Sequence, residues 1–116
     1  MKYMILIYSS EAAWMAQSPA EMESAIGAYA AYSTALAQAG KMVDGQELQP
    51  VSTARSITVR GGDMTVRDGP YVDTKEQLGG FYLIDVETEA EAIQWAARCP
   101  GAAHGAVELR PVVAGP

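Results

Sequence analysis

The sequence predicts an α+β domain in which two helices cover one face of an antiparallel sheet, and three observations predict it. Two short, nearly continuous apolar runs, Tyr3–Tyr8 and Phe81–Val86, are too brief for helices and rich in strand formers. Two capping boxes, Ser18-Pro19-Ala20-Glu21 and Thr88-Glu89-Ala90-Glu91, each open a stretch of helical periodicity. Alternating segments with turn residues between them supply the remaining strands.

Taken in order, Tyr3–Tyr8 is the first strand, and the first helix starts behind Ser18. Met22, Ile26, Tyr29, Ser33 and Leu36 recur at spacings of four and three, and Gly40 supplies the stop. A short strand follows through Met42 and Val43, with Asp44-Gly45 as a bend or bulge. Pro50–Thr53 is a connector. Ser56–Arg60 and Met64–Arg67 alternate and form a hairpin across Gly61-Gly62-Asp63. A loop from Asp68 to Gly80 leads to the strand Phe81–Val86, with Gly79-Gly80 marking close backbone packing. The second helix turns Ala92, Ile93, Ala96 and Ala97 inward and stops before Pro100-Gly101. Val107 and Leu109 alternate with Glu108 and Arg110 in a last strand ended by Pro111. The order is a ferredoxin-like β-α-β-β-α-β with an added β-hairpin, and residues 1–116 form a single domain.

Two helices cover only one face of such a sheet. Yet Tyr3–Tyr8 and Phe81–Val86 are apolar on both faces, whereas a strand open to water on one side alternates. A second copy of the sheet is the simplest cover, which predicts a two-fold homodimer closed as an α+β barrel.

Bulk properties narrow the function. Fourteen acidic against eight basic side chains give a net charge of −6, which argues against nucleic acid and against anionic membrane surfaces. One Cys makes no internal disulfide and suits a reducing compartment. No signal-like segment precedes the first strand and no apolar run reaches a membrane span, so a cytoplasmic location is expected. One His and one Cys make a metal centre improbable, and no phosphate-binding glycine fingerprint opens a helix. No cofactor is expected.

The turn Asp68-Gly69-Pro70-Tyr71 completes a set of blocks that resembles the YCII-related family, in its DGPF-domain branch. The resemblance also runs through Met1-Lys2-Tyr3-Met4, Val43-Asp44-Gly45, Thr74–Tyr82, Trp95–Pro100 and Gly105–Pro111, nearly the whole chain. Tyr71 stands where the branch name has Phe. The resemblance implies the dimeric α+β barrel. In the wider group a His and an Asp are proposed as an acid–base pair, and Tyr29 holds the position of that His here. DGPF-type proteins are often encoded beside extracytoplasmic-function sigma factors, which implies a regulatory or accessory role, with a protein partner, as readily as catalysis.

The densest polar cluster is Asp68, Tyr71, Asp73, Lys75 and Glu76, on a loop longer than a plain connection needs. Carboxylates beside a Lys and a phenol suit ligand binding and proton transfer. Asp-Gly-Pro is equally a turn former, and Lys75 and Glu76 equally an exposed ion pair. Asp44, at a strand end, is a candidate base or a bulge residue. Tyr29 lies on the inward stripe, as a donor or as core. His104, near neutrality in its ordinary pKa, is a candidate acid–base group or a helix cap. Cys99 reads as buried packing, and Glu108 and Arg110, which share a face, as ligand contacts at the interface or, in preference, as partners of cross-strand neighbours.

Two readings of function result. The first is a small-molecule-binding protein, regulatory or accessory, using Asp68, Tyr71, Lys75 and Glu76. The alternative is a cofactor-independent acid–base enzyme, isomerase- or lyase-like, on a small aromatic or carbonyl compound. There Asp44 or Asp73 is the base and Tyr29, Tyr71 or His104 the donor.

Overall fold

Alternation within the first apolar run sets the layers of the fold. In the computed structural model, which describes residues 1–114, this run is β1 (Lys2–Ser9). Tyr3, Ile5 and Ile7 are buried on one face, while Met4, Leu6 and Tyr8 are half-buried on the other. β5 (Gln77–Asp85) repeats the division, with Tyr82 and Ile84 buried and Phe81 and Leu83 half-buried. The register Tyr3↔Ile84 and Ile5↔Tyr82 brings these faces together. β2 (Met42–Glu47) and β6 (Ala106–Pro111) complete an antiparallel sheet of order β2-β5-β1-β6, the ferredoxin-like arrangement.

α2 (Pro19–Gln38) begins at a complete capping box. The Ser18 hydroxyl accepts from Glu21 N at 3.1 Å, and the Glu21 carboxylate accepts from Ser18 N at 3.0 Å. α3 (Glu89–Arg98) is capped by Thr88, whose hydroxyl accepts from Glu91 N at 3.1 Å. The Glu91 carboxylate turns away from the cap. It accepts from Glu87 N at 3.2 Å and pairs with Lys41 at 3.2 Å. Both helices lie on one face of the sheet and enclose the core, where Ile5, Leu36, Ile84 and Cys99 are fully buried. Tyr32 joins the two helices: its hydroxyl donates to Trp95 O at 2.6 Å, and its ring meets Tyr82 edge-on at 5.2 Å.

Several elements differ from the sequence expectation. Two short helices, α1 (Glu11–Met15) and α4 (Gly101–His104), add to the expected pair. β5 begins at Gln77, so Gly79-Gly80 lies inside the strand, with a bulge in the pairing between Ile7 and Tyr8. A Cβ on Gly80 would meet Gln46 O at 2.7 Å, whereas one on Gly79 would meet nothing within 4 Å. Close packing thus applies to Gly80 alone. β2 runs through Asp44-Gly45, with its own bulge between Met42 and Asp44. On α3, Ala92 and Ala96 face inward, but Ile93 and Ala97 are exposed; Trp95 and Cys99 share the inner face instead. Ile26 on α2 is exposed, and Tyr32 takes the inner position. Glu108 and Arg110 pair with each other along β6, at 3.7 Å.

The added hairpin stands apart. β3 (Arg55–Arg60) and β4 (Asp63–Asp68) form a separate two-stranded sheet that joins no strand of the main one. The Asp68-Gly69-Pro70 turn closes its root. Gly69 N donates to Ala54 O at 2.9 Å, Ser56 Oγ donates to Gly69 O at 2.7 Å, and Arg55 pairs with Asp68 at 3.2 Å.

Candidate functional site

The helix layer does not seal the sheet completely. Where α2 carries Tyr29, Ala30 and Ser33, and β2 and β5 carry Gly45 and Gly80, small residues leave a cavity of about 490 Å³. That lies within the range of small-ligand pockets. Trp14 and Met15 of α1 close one side, and Glu47 and Leu48 stand at another. α1 is held there by its Ser10 N-cap and by Glu11. Glu11 N donates to Gln77 Oε1 at 2.9 Å, and the Glu11 carboxylate accepts from Val51 N at 2.7 Å.

The walls are mainly apolar, and Tyr29, Ser33 and Tyr82 contribute hydroxyls to them. The hydroxyls of Ser33 and Tyr82 are hydrogen-bonded at 2.7 Å. Burial is the chief cause that pushes the Tyr29 phenol up to about 12, with Cys99, Tyr82 and Glu47 adding and a hydrogen bond from the Gly101 backbone opposing. Burial also raises Tyr82, against the hydrogen bond with Ser33. At neutral pH both phenols therefore keep their protons and are able to donate. Gly101 makes room for this arrangement: a Cβ there would fall 2.8 Å from Tyr29 Oη and 2.7 Å from Ile7 Cγ2. Glu47 is exposed at the mouth, and its charge bears on both phenols.

Of the residues singled out from sequence, Tyr29 lines this cavity and the others lie elsewhere. Lys75 and Glu76 line a second, more open groove of about 790 Å³ together with Tyr8 and Glu108. Asp44 is exposed, and its Oδ1 accepts from Gly45 N at 2.8 Å, a local turn contact. Asp68 is at the ribbon root, paired with Arg55. Tyr71 and Asp73 are exposed on the following loop, and His104 is exposed at the end of α4. Asp44, Asp73 and His104 thus form no cluster with Tyr29. Sequence reasoning passed over Tyr82 and Glu47 as site residues. Ser33 carried a signal, as a hydroxyl on an otherwise inward-facing helical stripe.

Among the described residues no group of three or more His, Cys, Asp or Glu is placed to hold a metal ion. Nor is any helix long and apolar enough to cross a membrane.

The chain matches the sequence profile of the YCII-related domain over residues 1–114. It belongs to that family. An uncharacterised protein of Rhizobium meliloti (strain 1021) is 35% identical over 114 residues, covering 97% of this chain and 92% of its own. The same fold occurs in 5-chloro-2-hydroxyhydroquinone dehydrochlorinase from Burkholderia phenoliruptrix AC1100, solved in complex with 2,5-dihydroxybenzoquinone. That match has a TM-score of 0.53 and 17% identity, covering 99% of this YCII-related chain and 96% of the other.

Proposed function

We propose that this YCII-related protein binds a small, flat, mainly apolar molecule carrying hydroxyl or carbonyl oxygens. The ligand lies between α1, α2 and the sheet. The observation that carries this reading is the contrast within one cavity: apolar walls, with the Tyr29 phenol and the Ser33–Tyr82 hydroxyl pair as hydrogen-bonding points. Apolar area supplies affinity, and the hydroxyls orient the ring oxygens. Binding without turnover suits a regulatory or accessory role in the cytoplasm. We further propose that the open face of the sheet, with Met4, Leu6, Phe81 and Leu83 at its centre, pairs with a second copy as a homodimer.

The dehydrochlorinase with this fold was solved with a dihydroxybenzoquinone, which suggests the first probe. Titrating 2,5-dihydroxybenzoquinone and hydroquinone against Trp14 fluorescence tests the reading, with Trp95 replaced by Phe to isolate the signal. Saturable quenching is expected, weakened about tenfold in Tyr82→Phe, as loss of one hydrogen bond to a ligand oxygen implies. Absence of saturation by either probe and by a panel of phenols and aromatic acids rejects it.

One observation favours the enzymatic reading as well. Glu47 lines the same cavity as the Tyr29 and Tyr82 phenols, and its charge acts on both, which places a carboxylate in one site with two phenols that can donate. In that reading Glu47 takes a proton from a carbon or oxygen of the ligand while Tyr29 or Tyr82 steadies the charge on its carbonyl oxygen. Exchange of a ring C–H for deuterium in D2O, abolished by Glu47→Gln, is the expected signature. No exchange above the solvent rate leaves binding alone.

A further inference from the structure

The β3–β4 ribbon has two unlike faces. The register Ile57↔Val66 and Val59↔Met64 places all four of these side chains on one face. Ser56, Thr58, Thr65 and Arg67 occupy the other. The apolar face is the uncovered one: Ile57 is 61% exposed, Val59 58%, Met64 70% and Val66 52%. A two-stranded hairpin alone in water is marginally stable, and it is held in proteins by covering one face. Nothing else among the described residues covers this one.

The shape of the molecule agrees. Its Cα radius of gyration is 16.2 Å, against about 13 Å for a compact domain of this length. Its extents are 47 × 47 × 18 Å. A thickness of 18 Å holds one sheet and one helix layer, so the ribbon extends sideways and folds over neither. Charge is divided in the same way. The ribbon carries three Arg against two Asp, while the rest of the chain carries five basic against twelve acidic side chains. The arm is net positive, and the body it projects from is strongly negative.

We propose that the β3–β4 ribbon is an intersubunit arm whose apolar face, Ile57, Val59, Met64 and Val66, packs on the acidic body of a second copy of this chain. A second copy is the occupant that both observations favour. It is present wherever the chain is folded, as a marginal ribbon requires, and its acidic body attracts the net-positive arm, whose Arg60 and Arg67 lie on the face away from the apolar contact. Under a two-fold axis each arm reaches the other body, so the contact is made twice. The Asp68-Gly69-Pro70 turn then has a defined task, which is to fix the direction in which the arm leaves the body.

Sedimentation equilibrium, combined with oxidation of Met64 by dilute peroxide, tests the arm. Wild-type protein is expected to sediment as a dimer or a multiple of it. Ile57→Glu and Met64→Glu, at exposed sites that leave the circular dichroism unchanged, are expected to raise the dissociation constant about tenfold or more. Met64 is expected to oxidise more slowly above that dissociation constant than below it, whereas Met15, 74% exposed, serves as the reference. A monomer throughout the micromolar range overturns the proposal. So does a dissociation constant unchanged in both variants, or oxidation of Met64 that follows Met15 at every concentration. Dimerisation lost in Leu6→Glu but intact in both ribbon variants assigns the contact to the sheet face and rejects the arm. Neither ribbon residue lines the helix–sheet cavity, so ligand binding is read independently.

Discussion

The hydroxyl oxygens of Ser33 and Tyr82 stand 2.7 Å apart, bridging α2 and β5 across the edge of a cavity. The pair is half-buried, and each hydroxyl is the other's hydrogen-bond partner. Replacing Ser33 by Ala leaves the Tyr82 hydroxyl without its partner. The expected loss of stability is about 1 kcal/mol, read from urea denaturation midpoints. Tyr82→Phe with Ser33→Ala removes both groups, and a double-mutant cycle is expected to show coupling rather than additivity. Additive losses would mean that the bond contributes nothing.

Glycines around the site separate into those that need their missing side chain and those that do not. A Cβ on Gly45 would fall 2.8 Å from Met42 Cε and 2.9 Å from Tyr82 Cδ1. Gly45→Ala is therefore expected to destabilise by about 1–3 kcal/mol through overpacking and to displace the Tyr82 ring. Gly27 lies inside α2, and a Cβ there meets nothing within 4 Å. Gly27→Ala is expected to stabilise by about 0.5–1 kcal/mol. The two melting temperatures should move in opposite directions.

The buried phenols set the alkaline limit of the fold. Tyr29 is pushed from 10.0 up to about 12 by burial, and Tyr32 and Tyr82 are raised by the same cause. The folded state holds these protons more tightly than the unfolded chain. The Tyr29 contribution is thus complete below pH 10 and is lost as pH rises through about 12. Melting temperatures should fall over that window, and the fall should be shallower in Tyr29→Phe. An identical pH profile in the variant would contradict the assignment.

The fold was legible because its cues are local. Ser18-Pro19-Ala20-Glu21 and the run Tyr3–Tyr8 carry their own capping and alternation, and no distant residue is needed to read them. α1 was not legible: Glu11–Met15 is five residues long and is held by Gln77 and Val51, which are remote in sequence. The site was less legible for the same reason. Tyr29 could be placed by helical spacing, but Tyr82 sits in a nearly continuous apolar strand and looks like core. Glu47 follows a bulge that fixes which way β2 faces, and that bulge depends on pairing with β5. Asp68, Tyr71 and Asp73 form a polar cluster in sequence, and in the fold all three are exposed at or just beyond the ribbon root, outside the helix–sheet cavity.

Gly69 separates the ribbon from the body energetically. Its φ of +99° lies where a Cβ is strained, although a Cβ there meets no neighbour within 4 Å. The cost of Gly69→Ala is therefore one of backbone conformation, about 1–3 kcal/mol. It falls on the hydrogen bonds to Ala54 and Ser56 that close the ribbon root. Since β3 and β4 share no hydrogen-bonded strand with the main sheet, the loss should stay local. Hydrogen exchange is expected to speed up across 55–68 while amides of Ile5 and Ile84 keep their protection. Asp68→Asn removes an exposed ion pair with Arg55 and should change stability by less than about 1 kcal/mol, with ribbon exchange nearly unaltered. Equal acceleration of the β1 and β5 amides in Gly69→Ala would show that ribbon and body unfold as one unit.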